Sequence, residues 1–451
     1  MSVDLPRETA LKILYDINEN GAYSNISVNK HLEAVELNSL DKAFITDMVY
    51  GTIKWKLTID WLISQYSSIK IKKISPWILN ILRLGVYQII YTDKIPQSAA
   101  CNESVKLSKK YGHAASSGFV NAVLRSIGRN KQNINYPDCV KDQISYLSIK
   151  YSHPEWIVEK WVNRFGREFT EALLDSNNKV PDFTIRTNTL KTTGSQLIEI
   201  LSNEGIFAAH GKYIENALII ENPASIFKSS AFKDGLFQVQ DESSMQVSKV
   251  LDPRPGDFII DVCSAPGGKA THIAELMQNN GTVLARDIHE HKINIINNAA
   301  KRLELGIIRA EMFDAAKLDE KYIEKADRVL VDAPCTGLGI IRRKPDIKWS
   351  RGDRDAKEIM AVQRKIINTA SKYVKPGGIL VYSTCTLEPE ENEEMVNTFL
   401  LENPDFQSVD FSGLLPDGLN KDDAKKGYIQ LYPNIDGIDG FFISKLRKVG
   451  K

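Results

Sequence analysis

Two cysteines stand where a thiol would do chemistry. Cys335 follows the apolar run RVLVDAP (328–334), and Cys385 closes GILVYSTC (378–385), each beside a threonine and turn-forming residues. A thiol inside an apolar run is usually an inert core group. One placed just past a buried strand faces the crevice in which open α/β sheets bind ligands. A thiolate there can add to an electrophilic carbon and split one difficult step into two. Asp332, three residues before Cys335, supplies a carboxylate for a polar substrate edge. The other cysteines carry less: Cys101 and Cys139 read as core residues, and Cys263 as a structural member of a loop. Five cysteines, an odd number with no CxxC pair and no histidine cluster, argue against a zinc site and a disulfide framework. No metal is expected.

A second constellation, DVCSAPGGK (261–269), lies between the apolar run FIID and the helical pattern THIAELM. Strand, glycine turn and helix in that order form a nucleotide-type cofactor loop. Gly267 and Gly268 let the backbone approach a ligand, and the helix N-terminus offers free amides. The loop departs from GxGxxG, which weakens a dinucleotide reading and an NAD-dependent oxidoreductase with it. Asp287 comes 20 residues after Gly267 at the end of the next run, where a carboxylate accepts from ribose hydroxyls. Asp314 ends the third run, placed for the base of the same ligand. Each aspartate alone would pass for a turn or helix cap; three in register after a glycine-rich loop favour a binding site.

These groups need a scaffold, and the apolar pattern provides one. From about residue 240 onward, FIIDVC, TVLARD, IIRAEMFD, RVLVDAP and GILVYSTC alternate with helical patterns, the grammar of buried parallel strands in a doubly wound sheet. Before it, residues 1–135 show helical periodicity almost throughout: Ala10, Ile13, Leu14, Ile17; then Ile78, Ile81, Leu82, Gly85; then Val120, Val123, Leu124, Ile127. Pro6, Pro76 and Pro96 sit near the expected helix starts. The stretch KQNINYPDC (131–139) has no period and reads as a linker. Residues 142–238 begin with a helix striped by Val158, Trp161, Val162 and Phe165 and continue in short strand-like runs, an α+β domain. The expected domains are therefore all-helical (1–135), small α+β (142–238) and doubly wound α/β (239–451).

With 451 residues, 43% of them hydrophobic, the chain has ample material for cores, which excludes disordered and small disulfide-stapled classes. The 58 Lys+Arg and 57 Asp+Glu leave a net charge of +1. That average conceals net +5 over residues 1–140, from 17 Lys+Arg and 12 Asp+Glu, and net −4 over the remainder. The asymmetry points to a polyanionic partner for the N-terminal part. No apolar run of membrane-spanning length and no signal-peptide pattern occurs, so a cytoplasmic protein without membrane attachment is expected.

Taken together, CSAPGGK, DAPC and STCT resemble the signature of the RNA cytosine-C5 methyltransferases of the Sun (NOL1/NOP2) family, which use S-adenosylmethionine. The helical first domain is similar to the antitermination factor NusB, which points to the bacterial 16S ribosomal RNA methyltransferase B branch. The blocks RTNTLK (186–191), QDESS (240–244) and IRRKPDIKW (341–349) extend the resemblance over nearly the whole chain. It implies an α/β, Rossmann-like S-adenosylmethionine-dependent methyltransferase domain preceded by a NusB-like helical domain and a small α+β domain. It assigns Cys385 as the nucleophile toward C6 of the base, Cys335 to the later elimination, and Asp332 to the N3 and exocyclic-amine edge. Cofactor contacts fall to Cys263, Ser264, Ala265, Pro266, Gly267, Gly268, Lys269, Asp287, Asp314 and Asp332. The implied substrate is an unpaired or flipped cytosine in 16S ribosomal RNA, cytosine 967, acted on by a monomer. These motifs alone leave open a tRNA cytosine-C5 methyltransferase, and the helical domain leaves open a non-catalytic RNA- or transcription-factor-binding protein. Arg286, just before Asp287, departs from the small or apolar residue expected there. Lys269 and the run Arg342, Arg343, Lys344 are expected to favour a thiolate, and that run, with Lys348 and Trp349, to contact RNA backbone beside the site.

Overall fold

The computed structural model describes residues 3–350, 352–419 and 422–450. It divides into two bodies: Met1–Lys179 with Ile341–Ser350, and Val180–Ile340 with Arg351–Lys451.

The first body is helical, and its helices begin where local chemistry favours them. Asp4 caps the helix Leu5–Asn20 by accepting the Arg7 amide at 3.0 Å, with Pro6 in the first turn and Gly21 (φ +68°) closing the end. Pro76 opens Pro76–Tyr91 and Pro96 precedes Gln97–Tyr111, as the sequence suggests. Ala10, Ile13 and Leu14, Ile78, Ile81 and Leu82, and Val120, Val123, Leu124 and Ile127 meet in one buried cluster. The stretch 131–139 carries neither helix nor strand, yet it is tied down, since Trp61 Nε1 donates to the Asn135 carbonyl at 3.0 Å. The helices Gln143–Tyr151, Glu155–Phe165 and Arg167–Asn178, which the sequence reading places at the head of the second domain, pack in this body.

Residues 341–350 also belong to this body, and this corrects the reading of Lys348 and Trp349 as RNA contacts. Lys348 is fully buried, with its Nζ donating to the Lys54 carbonyl at 2.9 Å. Trp349 Nε1 donates to the Ile53 carbonyl at 2.8 Å, its ring packs on the helical core, and Asp346 accepts from Ser24 Oγ at 2.8 Å. Burial, then the neighbouring Lys54, pushes the Lys348 amine well below its usual range, and its burial against the Lys54 carbonyl makes it an anchor of the helical body and not a phosphate ligand. The sequence showed a basic, aromatic segment; only packing reveals which way it faces.

In the second body, β1 (Phe183–Thr187), β2 (Ala208–His210), β3 (Ala217–Ile220) and β4 (Phe237–Val239) form an antiparallel sheet in the order β2-β3-β1-β4. The helix Gly194–Asn203, started by a Thr193–Gln196 capping box, covers it through Leu197 and Leu201. The five predicted buried runs are β5 (Phe258–Asp261), β6 (Thr282–Asp287), β7 (Ile308–Met312), β8 (Ala326–Asp332) and β9 (Val374–Thr384), all parallel to their neighbours among themselves. Three antiparallel strands complete the sheet: β10 (Phe406–Ser408), β11 (Tyr428–Leu431) and β12 (Phe441–Lys448). The order β10-β12-β9-β8-β5-β6-β7 places β5 beside both β6 and β8, so the crevice opens where the chain reverses direction across the sheet.

Candidate active site

At the carboxyl ends of β5, β6, β8 and β9 lies a cavity of ≈ 390 Å³. That is the size range of a small-molecule site. Cys263, Ala265, Asp287, Asp314, Asp332, Cys335 and Cys385 all line it, so the residues that spacing alone singled out converge on one space. Ser264, Pro266, Gly267 and Gly268 are not in its wall; they build the turn that carries it. That turn is short and fixed at both ends. The Ser264 amide donates to the Arg286 carbonyl at 2.7 Å, the Gly267 amide to the Ser264 carbonyl at 2.8 Å, and the Ala265–Pro266 bond is cis. Gly267 adopts φ +97°, a backbone conformation that side chains with a Cβ rarely take, which is why glycine is favoured there.

The loop is also held from the small sheet. Arg186, on β1, reaches Glu275 of the helix Gly268–Leu276 with Nε and Nη2 at 3.0 and 2.7 Å, and its Nη1 donates to the Gly268 carbonyl at 2.9 Å. Nothing in RTNTLK announces this, because a buried arginine and a surface arginine look alike in sequence.

Asp287 and Asp314 each serve two purposes. Asp287 accepts the His289 amide at 3.1 Å and Asp314 the Ala316 amide at 3.0 Å, the turn-capping use expected of a lone aspartate, while both face the cavity. Behind the lining residues Val262 and Cys263, Asp261 is fully buried, with the Ser264 side chain and the Cys263 amide close enough to favour its charged form. Burial, and then the Asp332 charge, pushes Asp261 up to about 7. Two carboxylates, Asp287 and Asp314, in the wall of a cavity closed by the glycine turn fit a nucleoside with a cationic tail, so the residues fit S-adenosylmethionine. Asp287 would hold the ribose, Asp314 the base end, and the 263–269 loop the amino-acid end. Arg286 leaves this intact. Its guanidinium turns away from the cavity to pair with Glu311 and Asp319, at 2.5 and 2.6 Å, and lies over the rings of Phe313 and Tyr322 at 4.3 and 4.9 Å.

Asp332 and the two cysteines line the same cavity. Cys335 Sγ and Cys385 Sγ are 3.2 Å apart. Lys269 Nζ donates to Asp332 Oδ2 at 2.7 Å, and Ser383 Oγ to Asp332 Oδ1 at 2.8 Å, so the carboxylate is aimed from both sides. The hydrogen bond with Cys385, and then burial, pushes the Cys335 thiol well above its usual range. Cys335 therefore keeps its proton and can share it with the Cys385 sulfur. Burial also pushes Cys263 well up, in line with a structural role. Arg342, Arg343 and Lys344 lie in the helical body and are not among the cavity's lining residues. The nearest cation that the sequence reading named is Lys269, committed to Asp332 and lying 5.1 Å from the centre of the Phe441 ring.

Sequence reasoning missed Ser383, which the YSTC run contains, and Val362 and Ile366, which line the cavity from the helix Asp353–Ala370. Ser383 was within reach of the alternation along β9; the helix residues carry only a generic amphipathic pattern. Among the described residues no cluster of His, Cys, Asp or Glu is arranged to hold a metal ion, and no helix is long and apolar enough to cross a membrane.

Comparison with known proteins points the same way. The profile of the 16S rRNA methyltransferase RsmB/F family matches residues 248–447, that of the NusB family residues 4–129, and that of the ferredoxin-like domain of RsmF/B-like methyltransferases residues 153–227. The chain is 39% identical over 446 residues to a protein of Bacillus subtilis described as a probable ribosomal RNA small subunit methyltransferase B, covering 98% of this chain and 99% of that one. It is 30% identical to the ribosomal RNA small subunit methyltransferase B of Pectobacterium carotovorum, covering 98% of both. Among solved structures, PH0851 is similar over 99% of this chain and 100% of that chain, at 28% identity and TM-score 0.82. A methyltransferase homolog protein from Pyrococcus horikoshii is similar over 68% of this chain and 99% of that chain, at 29% identity and TM-score 0.59.

Proposed function

Because the chain belongs to the RsmB/F family of S-adenosylmethionine-dependent ribosomal RNA methyltransferases, we propose that it methylates C5 of a cytosine in 16S ribosomal RNA, cytosine 967, through a covalent bond between Cys385 and C6. The observation that carries this reading is the pair of sulfurs in contact beside an aimed carboxylate, with the cofactor wall in the same cavity. C5 of cytosine is a poor nucleophile. Addition of the Cys385 thiolate at C6 pushes electrons into the ring and makes C5 enamine-like. Asp332 accepts from the exocyclic amine, and Lys269, on the same edge, balances charge moving onto N3. When bound, S-adenosylmethionine supplies an electrophilic methyl group.

The final steps remove the C5 proton and expel Cys385. Cys335 is suited to this because the first cause of its raised pKa is its hydrogen bond with Cys385. Once Cys385 is a thioether that cause weakens, and the Cys335 thiol can release its proton to solvent; its thiolate then takes the C5 proton, the C5–H electron pair re-forms the C5–C6 double bond, and Cys385 leaves as a thiolate. A base stacked in a duplex cannot reach this cavity, so the cytosine is taken unpaired or flipped.

The test is to trap the adduct. Cys335→Ala should still attack and methylate, then stall as a slow-migrating protein–RNA band on a denaturing gel. Cys385→Ala should give neither band nor product. Bisulfite sequencing of RNA from cells with and without the protein locates the base. Normal turnover by Cys385→Ala would overturn the mechanism, and the opposite band pattern would exchange the two roles.

A further inference from the structure

Six residues beyond Cys385 stands Glu391, 1% exposed and without a part in the chemistry above. Its Oε1 accepts from Thr336 Oγ1 at 2.5 Å, and its Oε2 accepts from the Thr336 amide and from Gln363 Nε2, each at 2.9 Å. Gln363 Nε2 also donates to the Pro334 carbonyl at 2.9 Å. Thr336 Oγ1 is 2.8 Å from Thr386 Oγ1, and the Tyr382 hydroxyl donates to the Glu391 carbonyl at 2.8 Å. Both neighbours of Cys335 in the chain are thus gathered on one carboxylate and one amide, and the residue after Cys385 joins them through the Thr336 hydroxyl.

Donors occupy both oxygens of the carboxylate, the arrangement of an acceptor, while the charge of buried Glu388 also bears on it. Burial pushes Glu391 up, and Thr336 and Gln363 oppose it. A buried charge is costly unless its partners are complete. Here they are complete, and each belongs to a segment that bears on the cysteines. Cys335 and Cys385 are 50 residues apart in the chain; the β8–β9 pairing, with the Ala333 amide on the Ser383 carbonyl at 2.9 Å and the Gly339 amide on the Cys385 carbonyl at 3.0 Å, aligns their backbones, and the Glu391 cluster joins their side chains.

We propose that Glu391 is a positioning residue for methyl transfer, clamping the Pro334–Thr336 turn against the Cys385–Thr386 turn so that the two sulfurs stay in contact. Gln363 is the second jaw, fixed to the helix Asp353–Ala370, and ties the clamp to the helix that lines the cavity. The proposal rests on the reading that both thiols act on the substrate.

The experiment measures sulfur contact directly. Diamide takes the two thiol hydrogens and leaves a disulfide, and its rate of bridging Cys335 to Cys385, followed by mass spectrometry of the full chain, reports how often the sulfurs meet. Glu391→Ala should slow bridging and lower kcat together, each by roughly tenfold or more, because the proximity advantage is lost. KM for RNA and for S-adenosylmethionine should stay within about twofold, since neither ligand's contacts change. Glu391→Gln can keep the clamp, presenting its carbonyl to the two N–H donors and its amide to Thr336 Oγ1, and should bridge within about threefold of the parent. A lower Tm with parental bridging and parental kcat, measured below that Tm, would make Glu391 a fold stabiliser only and overturn the proposal. If Glu391→Ala does not fold, Gln363→Leu removes one jaw and must show the same joint loss. A product methylated at some other atom, with bridging rates as expected, would sink the cytosine-C5 reading and leave the clamp standing.

Discussion

Arg186→Met removes the guanidinium that joins the small sheet to the cofactor loop, and the structure sets the size of the effect. Arg186 and Glu275 are 1% and 2% exposed, and their contact is bidentate. The substitution fills most of the volume but strands a buried carboxylate and leaves the Gly268 carbonyl without this donor. Breaking a buried pair from one side costs about 3 to 5 kcal/mol. At about 2 to 4 °C per kcal/mol for a body of about 260 residues, Tm should fall by roughly 6 to 20 °C. The pH dependence gives a second check. Burial already pushes Glu275 up, and Arg186 is the main force holding it down. Without Arg186 the folded carboxyl lies well above its unfolded value, so its contribution is fully present below the unfolded pKa and lost as pH rises through the folded one. The deficit of the variant should therefore shrink as pH is lowered from about 8 to about 5. Thermal unfolding followed by near-UV circular dichroism at several pH values reads both effects. Adding Glu275→Gln to Arg186→Met should recover much of the loss at neutral pH. A Tm within about 2 °C of the parent, or a deficit that grows with acid, would refute the buried-pair reasoning.

Three further outcomes follow from other parts of the molecule. Asp287→Ala should weaken S-adenosylmethionine binding by about 1 to 3 kcal/mol in titration calorimetry; unchanged affinity would remove Asp287 from the cofactor wall. Asp261, held near 7 in the folded chain, contributes stability that is fully present below its unfolded pKa and lost as pH rises through about 7. Asp261→Asn should accordingly gain in Tm over the parent between about pH 4 and pH 7, with a constant margin above that, and a margin independent of pH would show the carboxyl to be ionised throughout. Lys348→Met replaces a buried amine, whose charged form burial disfavours, by an apolar isostere. It should hold or raise Tm at neutral pH, by a margin that shrinks toward pH 10, and leave RNA affinity and its salt dependence unchanged; weaker RNA binding would restore the phosphate-contact role.

The parallel strands and the cavity they bear were legible because buried parallel strands need long apolar runs, and the polar residue ending such a run has one place to go. Asp287, Asp332, Cys335 and Cys385 were found by that rule. It is silent on β10 and β11, only three and four residues long, and on β12, whose FFISKLRK mixes polar and apolar residues. Arg186, Gln363 and Glu391 were invisible for a different reason. Charged and amide side chains are normally solvated, and their burial is decided by partners 28 to 89 residues away in the chain. Lys348 and Trp349 fell to the same ambiguity in the opposite direction.

The setting of Arg286 bears on how such a chain can change over time. The cation is 1% exposed, whereas Glu311 and Asp319 are 41% and 23% exposed. Losing both acids first would leave a bare cation inside the sheet, a cost of about 3 to 5 kcal/mol that a marginally stable protein rarely survives. Losing the arginine first leaves two carboxylates that water can reach. The mutational route between an arginine and a small residue at position 286 therefore runs in an obligatory order: toward the small residue, the cation departs before its counter-charges, and toward the arginine, the acids must arrive first.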